Sequence, residues 1–268
     1  MIKKCPSCGH FLSTFSSDIK RCPSCGLGVT IALSAVSYTH YHRDDDYRQS
    51  ENQFRNIFLT RFLLANKFFT RPGRVLDIGC STGIMLELFK KAGWQVWGIE
   101  PSTSSQLAIQ KGIKVLHTSF ERAKLPKGHF DLIILNHTLE HMEDPVEIIQ
   151  KIRPILKSRG ILFIDVPNFG SLYSKLMGDH WPYLLPNEHH FHFTKKSLEN
   201  ILRNQKFKVI HQVSRSGLFE YSNPFLELWD SSTGFKKRFF TDLIFLPFST
   251  LATYLNAGDS MSFIACRS

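Results

Sequence analysis

The stretch from Val75 to Leu86, VLDIGCSTGIML, constrains the fold more than any other part of the chain. It predicts a short buried strand, a tight turn with glycine at positions 79 and 83, and the start of a helix. Glycine permits backbone angles and a close approach that a Cβ atom would obstruct. A ligand at such a switch from strand to helix meets exposed backbone N–H groups. The sequence therefore predicts a ligand site above this turn, with Asp77 at the carboxyl end of the strand.

Strands and helices alternate through the region that follows. Apolar runs predict strands at 74–78, 95–99, 114–117, 130–135 and 160–166, with helices at 84–92, 101–110 and 144–156 between them. The continuous apolar run after Asp131 is typical of a strand that is covered on both faces. This alternation predicts an α/β fold with a doubly wound parallel sheet.

The composition is that of an ordinary soluble globular protein, with 43% hydrophobic and 21% charged residues in 268. The formal net charge of +10 favours anionic partners such as nucleic acid, phosphorylated small molecules or an acidic membrane face. The first residues do not form an export signal, and no apolar run approaches the roughly 18 residues that span a bilayer. We therefore expect a cytoplasmic protein without a transmembrane segment.

Two near-identical CPSCG knuckles mark the amino-terminal region, which we assign as a domain over residues 1–37. The two residues between the cysteines of each pair let both thiolates reach one ion, and four thiolates suit tetrahedral zinc. So short a segment cannot fold on a core of its own, so metal binding would supply most of its folding energy. We predict a structural zinc ribbon in preference to an iron site or a redox pair. Its ligands are Cys5, Cys8, Cys22 and Cys25.

Residues 38–70 are predicted to be a linker followed by an amphipathic helix. The stretch 38–47 is polar and aromatic without a period, and we expect His40 and His42 to be solvated. From position 50 to 69, apolar residues recur at helical spacing, which predicts a helix that packs on the next domain. Arg71-Pro72-Gly73 ends it.

Four segments in order, VLDIGCSTG, GIEPS, FDLIILNHTLEHMEDP and RPILKSRGILFIDVPN, resemble successive motifs of class I S-adenosylmethionine-dependent methyltransferases. The resemblance covers about 74–168 and implies a Rossmann-like, mostly parallel seven-stranded sheet over residues 71–268. The last strand, predicted at 258–266, would then enter antiparallel between its neighbours. A nicotinamide dehydrogenase is the alternative, but the G-x-G-x-x-G fingerprint is absent.

This resemblance implies cofactor contacts by position. The residues expected at the methionine part of the cofactor are Asp77, Gly79, Cys80, Ser81 and Gly83. Those expected at the ribose are Glu100 and Pro101, and those expected at the adenine are Ser119 and Phe120. The position of Asn136 implies that it lies beneath the sulfonium. An acid at the position of Glu100 can accept both ribose hydroxyls. Many family members carry aspartate in place of Ser119. The other interpretation of Cys80 is a small residue that fills the turn, and we prefer it.

The segment His137-Thr-Leu-Glu140-His141 has two further interpretations. It matches the H-x-x-E-H string of a zinc peptidase class, but here it follows a predicted sheet strand. It also resembles the E-x-x-E-H segment of quinone O-methyltransferases, where two acids and a histidine can hold a divalent metal, with His137 replacing the first acid. The alternative, which we favour, is that Glu140 and His141 brace the sheet without metal.

The stretch 178–194 is rich in histidine and aromatic residues, and it precedes a predicted helix at 194–204 and a strand at 207–213. A similar P-x-E-H-x-x-x-F-T segment occurs in methyltransferases that act on sugars and other small metabolites. The acceptor-site candidates are Trp181, Tyr183, Glu188, His189, His190 and His192. A histidine can accept a hydroxyl proton at neutral pH, and either His137 or His189 is expected to be that base. A metal bound by the histidines and simple packing remain the alternatives.

Residues 219–256 are predicted to be a helical insert in the catalytic domain. Its aromatic and basic residues suit an acceptor lid, a dimer contact or peripheral contact with a membrane surface. The oligomeric state stays open.

We therefore predict an enzyme that transfers a methyl group from S-adenosylmethionine to a small-molecule or glycan acceptor (a sugar, lipid-linked or quinone-like group), at an oxygen atom. The alternative is an RNA methyltransferase that binds RNA through the ribbon and its basic surface. A third possibility, a non-catalytic scaffold, is disfavoured by the intact Asp77, Gly79, Gly83 and Glu100.

Overall fold

The computed structural model describes residues 3–31, 49–233 and 237–267, so the predicted linker with His40 and His42 lies outside the described residues. Its strands are β1 (Ser13–Thr14), β2 (Ile19–Arg21), β3 (Gly28–Thr30), β4 (Arg74–Ile78), β5 (Gln95–Ile99), β6 (Lys114–Leu116), β7 (Phe130–Asn136), β8 (Leu156–Pro167), β9 (Phe191–His192), β10 (Phe207–Arg215) and β11 (Ser260–Arg267). The helices are α1 (Glu51–Asn66), α2 (Ile84–Lys91), α3 (Ser105–Gln110), α4 (Pro145–Ile155), α5 (Leu172–Met177), α6 (Lys195–Asn204), α7 (Pro224–Thr233) and α8 (Lys237–Tyr254).

A seven-stranded sheet forms the centre of the molecule, in the order β10-β11-β8-β7-β4-β5-β6. Strands β4 to β8 pair in parallel, whereas β11 pairs antiparallel with both β8 and β10. This confirms the predicted α/β fold and the antiparallel entry of the last strand. Because parallel strands share a direction, β4, β5, β7 and β8 all end at one edge of the sheet, and the polar residues that follow them meet there.

Local chemistry explains where the helices begin. The side chain of Asp144 accepts hydrogen bonds from the backbone N–H groups of Val146 and Glu147, and Pro145 occupies the first helical position of α4. Thr194 and Ser197 form a reciprocal capping box at the start of α6. The helix predicted at 101–110 is shorter than expected and begins at Ser105. Strand β8 begins at Leu156, earlier than predicted, because Leu156 is extended and pairs with Phe130.

A second, four-stranded sheet contains the amino-terminal ribbon (residues 3–31), in the order β1-β2-β3-β9. Three of its strands come from the ribbon, and the fourth comes from the histidine-rich stretch between β8 and α6. The ribbon residues Leu27 and Val29 are buried in the same apolar cluster as Phe191 and Phe193. The ribbon therefore shares a core with the catalytic region.

Among the described residues between β10 and β11, a helical turn (Gly217–Glu220) is followed by α7 and α8. Large apolar side chains point to solvent on both helices, including Phe225, Trp229, Ile244 and Tyr254. Among the described helices, none has the length and apolar character needed to cross a bilayer.

Candidate functional site

The ends of strands β4, β5 and β7 lie close together around the turn after β4. The carboxylate of Glu100, at the end of β5, accepts from the backbone N–H of Ser81 at 2.9 Å and from that of Ser102 at 2.8 Å. Glu100 is 7% exposed, and this pairing fixes its carboxylate above the turn. Asn136 ends β7, next to β4 in the sheet. The residues predicted from separate motifs thus converge at one edge.

Two glycines of the turn, Gly79 and Gly83, are required both by their backbone angles and by close neighbours. Gly79 has φ +78°, and a Cβ atom there would lie 2.7 Å from Oγ1 of Thr138. Gly83 has φ +77° and packs against Ala108 and Ile113. Both positions combine the left-handed region with a close approach, which is a combination that only glycine satisfies without strain.

We expect Gly79→Ala to destabilise the fold strongly. The left-handed backbone costs about 1–2 kcal/mol for an alanine, and the clash with Thr138 adds about 1–3 kcal/mol of overpacking. Gly128→Ala is the matched control, since Gly128 has φ +58° but no atom within 4 Å of the point that an alanine Cβ would occupy. Urea unfolding measures the free energy of unfolding of both variants. Gly128→Ala reports the cost of the left-handed backbone alone, and the additional loss in Gly79→Ala reports the clash with Thr138. Equal losses of unfolding free energy would show that the contact with Thr138 has no cost.

Asp77 and Cys80 are buried beneath the surface of the turn. Together they line a small space of about 20 Å³ beside the main cavity. Burial, and then the charge of Glu100, raise the pKa of Asp77 well above its usual value. Among the described residues, Oδ1 of Asp77 and Oδ1 of Asn136 are buried without a hydrogen-bond partner. Cys80 packs into the core against Gly98 and Leu86, which fits a residue that fills the turn.

A cavity of about 860 Å³ opens above this edge of the sheet. Its wall includes many of the residues predicted from sequence: Gly79, Ser81, Glu100, Pro101, Ser119, Phe120, Asn136, His137, Tyr183, His189 and His190. The cavity therefore joins the expected cofactor residues to the expected acceptor residues in one continuous space.

His137 lies between two carboxylates. Its Nδ1 is 3.3 Å from Oε1 of Glu140 and its Nε2 is 3.3 Å from Oδ1 of Asp165. Burial lowers the pKa of His137, but the pairing with Asp165 and Glu140 outweighs this and raises it to about 9. The imidazole of His137 is therefore protonated at neutral pH.

His189 has the opposite electrostatic environment. It is 3% exposed, and burial lowers its pKa to about 3 despite the nearby charge of Glu140. Its Nδ1 is 3.1 Å from the carbonyl oxygen of Tyr183, so Nδ1 carries the proton and donates it. The Nε2 atom of His189 therefore retains its lone pair at neutral pH.

Two groups of side chains have the spacing of metal ligands. The sulfur atoms of Cys5, Cys8, Cys22 and Cys25 lie within 4.8 Å of one another. The shortest pairs, at 3.4 and 3.5 Å, are too far apart for a disulfide and close to the edge of a tetrahedral thiolate site. Ligand atoms of Glu140, His141 and His189 also lie within 4.8 Å of one another. The second group contains His189, whereas the metal site considered from the sequence, and not favoured there, contained His137.

Three predicted acceptor residues have other surroundings. Trp181 is buried beside Phe169, and its indole N–H donates to Asp259 at 2.9 Å. His192 is buried and faces the ribbon, where its Nε2 is 3.0 Å from Oγ1 of Thr30. The backbone carbonyl of Glu188 accepts from the ring of His141. These contacts hold the stretch in place around the cavity.

Arg61 on α1 is a cavity residue that the sequence analysis missed. It is 1% exposed, and its guanidinium contacts Glu220, Ser260 and Asp165. Burial opposes the charge, but Asp165 and Glu220 raise the pKa of Arg61 above its usual value. Its position on the apolar face of α1, three residues after the buried Phe58, is the sequence signal that could have identified it.

Comparisons with known proteins agree with this geometry. Residues 48–212 match the family described as a methyltransferase domain. A 116-residue region is 33% identical to the ubiquinone biosynthesis O-methyltransferase of Haemophilus ducreyi, covering 39% of this chain and 48% of that protein. A 131-residue region is 29% identical to the Yersinia pestis protein of the same name, covering 44% of this chain and 54% of that protein. The chain thus spans about half the length of these curated relatives.

Solved structures share the fold at low sequence identity. An S-adenosylmethionine-dependent methyltransferase of Archaeoglobus fulgidus aligns with a TM-score of 0.58 at 21% identity, covering 82% of this chain and 99% of that one. The 1,6-didemethyltoxoflavin-N1-methyltransferase of Burkholderia thailandensis, solved with S-adenosylhomocysteine, aligns with a TM-score of 0.53 at 13% identity, covering 96% and 99%. With a family match over more than half of its length, this chain belongs to the family described as a methyltransferase domain.

Proposed function

We propose that this enzyme methylates a hydroxyl group of a small-molecule acceptor, with His189 as the general base. The observation that carries the proposal is the single cavity whose wall contains both Glu100, the expected ribose ligand, and His189. Its volume of about 860 Å³ lies in the range of small-molecule sites. Methyl donor and acceptor would therefore meet in one cavity.

The residues of the turn fit the cofactor. Buried polar atoms normally have partners, and the lone Oδ1 atoms of Asp77 and Asn136 are acceptors that an ammonium group would satisfy. Each oxygen of Glu100 has a further lone pair for a ribose hydroxyl. Ser119 and Phe120 are proposed adenine contacts. When bound, S-adenosylmethionine supplies an electrophilic methyl group on its sulfonium.

His189 is the proposed base because its Nε2 has a free lone pair, whereas both ring nitrogens of His137 carry protons. Burial lowers the pKa of His189, and the nearby charge of Glu140 opposes that effect and favours the protonated form. The carboxylate of Glu140 lies within 4.8 Å of the ligand nitrogen of His189 and stabilises the imidazolium as it forms. His137, held by Asp165, contributes a fixed positive charge at the same edge. The pKa values of the two histidines are displaced in opposite directions, which supports different roles for them.

A quinone-like or phenolic hydroxyl is the proposed acceptor. The curated relatives are named as ubiquinone biosynthesis O-methyltransferases, and Tyr183 and Leu185 add apolar surface to the cavity wall. A sugar or a lipid-linked group is the alternative small-molecule acceptor. RNA is a second candidate substrate, because the net charge of +10 favours an anionic partner. Transfer of labelled methyl to a panel of catechols, sugar nucleotides and ribosomal RNA tests this. Label confined to RNA would refute the proposal.

We expect Glu100→Ala to weaken cofactor binding by about 100-fold, because two charge-assisted hydrogen bonds would be lost. Isothermal titration calorimetry with S-adenosylhomocysteine measures this. Glu199→Ala, which removes an exposed carboxylate on α6, is the control and should bind within twofold of the wild type. Equal affinities for the two variants would remove Glu100 from the cofactor site.

We also propose that residues 1–37 form a zinc ribbon, 38–70 a connecting segment with α1, and 71–268 the catalytic domain. When bound, zinc would anchor the four thiolates of Cys5, Cys8, Cys22 and Cys25. Elemental analysis of the intact protein should give about one zinc per chain. A second equivalent of metal would instead point to occupancy of Glu140, His141 and His189.

A further inference from the structure

We propose that the ribbon is a structural part of the acceptor site, and that Thr30 is the positioning residue through which it holds His189. The acceptor loop is defined here as residues 183–194. The role of His189 rests on the proposed function, whereas the mechanical link between ribbon and loop rests on contacts alone. Within the described part of the chain, hydrogen bonds hold the loop on two sides, which are called its two supports below: the ribbon and the segment that follows β7.

The first support is strand addition. Gly28 pairs with His192 and Val29 with Phe191, so the loop completes the ribbon sheet. The backbone N–H of Thr30 then donates to the carbonyl of His190 at 3.0 Å. Gly28 allows this approach, because a Cβ atom there would lie 3.0 Å from both His192 and the ring of Phe169. The loop backbone is therefore in register with the ribbon.

The Thr30 side chain adds a contact at the base itself. Its hydroxyl donates to the carbonyl oxygen of His189 at 2.6 Å and lies 3.0 Å from Nε2 of His192. A hydroxyl has one proton, so Nε2–H of His192 must donate to Thr30. Thr30 and His192 are 7% and 3% exposed. Removal of this hydroxyl would leave two buried polar groups without a partner, which is more costly than the loss of an exposed hydrogen bond.

The second support lies on the catalytic side. The backbone N–H of His190 donates to the carbonyl of Glu140 at 2.8 Å, and Nδ1 of His141 is 3.0 Å from the carbonyl of Glu188. The loop thus bridges the ribbon and the segment that follows β7. A shift of the ribbon strand would change the distance between His189, the proposed base, and Glu140, the carboxylate proposed to stabilise its imidazolium.

The two cysteine knuckles contact the end of the acceptor loop and the start of α6. The hydroxyl of Thr194 donates to the carbonyl of Cys25 at 2.6 Å, and Nζ of Lys196 donates to that of Ser24 at 2.7 Å. The hydroxyl of Ser7, in the other knuckle, donates to the carbonyl of Ser197 at 2.9 Å. The ribbon therefore forms hydrogen bonds with the chain both before and after β9, and these bonds fix the position of that strand.

The test compares Thr30→Ala with Thr30→Ser, which keeps the hydroxyl, and with Thr14→Ala on the exposed strand β1. Hydrogen–deuterium exchange of the loop amides is measured in the full-length protein, together with zinc content and S-adenosylhomocysteine affinity. We expect loop exchange in Thr30→Ala to be about tenfold faster. Zinc content and cofactor affinity should match the wild type, as should all three measurements in Thr30→Ser and Thr14→Ala.

Unchanged loop exchange in Thr30→Ala would overturn the proposal. So would faster exchange accompanied by loss of zinc or of cofactor affinity, because the effect would then be general unfolding. Failure of the proposed function is a separate result: the wild type would not bind the cofactor or transfer a methyl group, whereas the difference in loop exchange would persist.

Discussion

His189→Gln should lower kcat by about 10²- to 10⁴-fold, because the acceptor hydroxyl would lose the base that removes its proton. Glutamine keeps much of the size of the imidazole but cannot accept a proton at neutral pH. Cofactor affinity should stay within twofold of the wild type, since His189 lies on the acceptor side of the cavity. Single-turnover transfer of labelled methyl to an acceptor from the panel measures the change.

His180→Ala is the matched control, from the same histidine-rich stretch. Its side chain is 88% exposed, and we expect kcat to be unchanged. The pH profile adds a second readout. Because burial lowers the pKa of His189 to about 3, the wild type should show no loss of rate from its protonation as pH falls through 6.5. If His189→Gln retained a kcat within a few-fold of the wild type, His189 would not be the base.

Cys25→Ser should cause the largest loss of stability. Structural zinc contributes about 10–16 kcal/mol of apparent binding energy to small metal-dependent folds. Loss of one ligand that costs about 4 kcal/mol would lower the melting temperature of a chain of this size by about 10 °C. Differential scanning calorimetry measures the midpoint, and elemental analysis should show less zinc per chain.

Cys266→Ser is the control for thiol loss, because Cys266 lies on β11, outside the cysteine cluster. It should retain about one zinc per chain and melt within about 2 °C of the wild type. A Cys25→Ser protein with a wild-type midpoint and no bound zinc would show that the ribbon folds without metal.

The central sheet was predictable because its signals are local and repeated. The apolar run of β7 and the glycines of the turn each specify a structure by themselves, and the bounds of β4 and β5 are the ones predicted. Four motifs in order then fixed how the elements are connected. At the resulting edge of the sheet, Glu100 and Asn136 both lie in the cavity wall.

The roles of the histidines were not predictable, because they depend on distant partners. His137 directly follows β7 and Asp165 lies on the neighbouring strand β8, and only their proximity in the fold indicates that the pKa of His137 is raised. His192 belongs to the same motif as His189, yet its ring faces Thr30 on the ribbon. A sequence pattern places such residues in one segment but does not specify which side of the backbone each ring occupies.

The shared sheet has a consequence for the order of assembly. Thr30 and His189 are separated by 159 positions in sequence, so the ribbon emerges from the ribosome long before its fourth strand is synthesised. Contacts of such high sequence separation close late in folding, after the intervening chain has become compact. During synthesis the ribbon must therefore exist with an unpaired β3 edge, and completion of that edge depends on the finished catalytic domain.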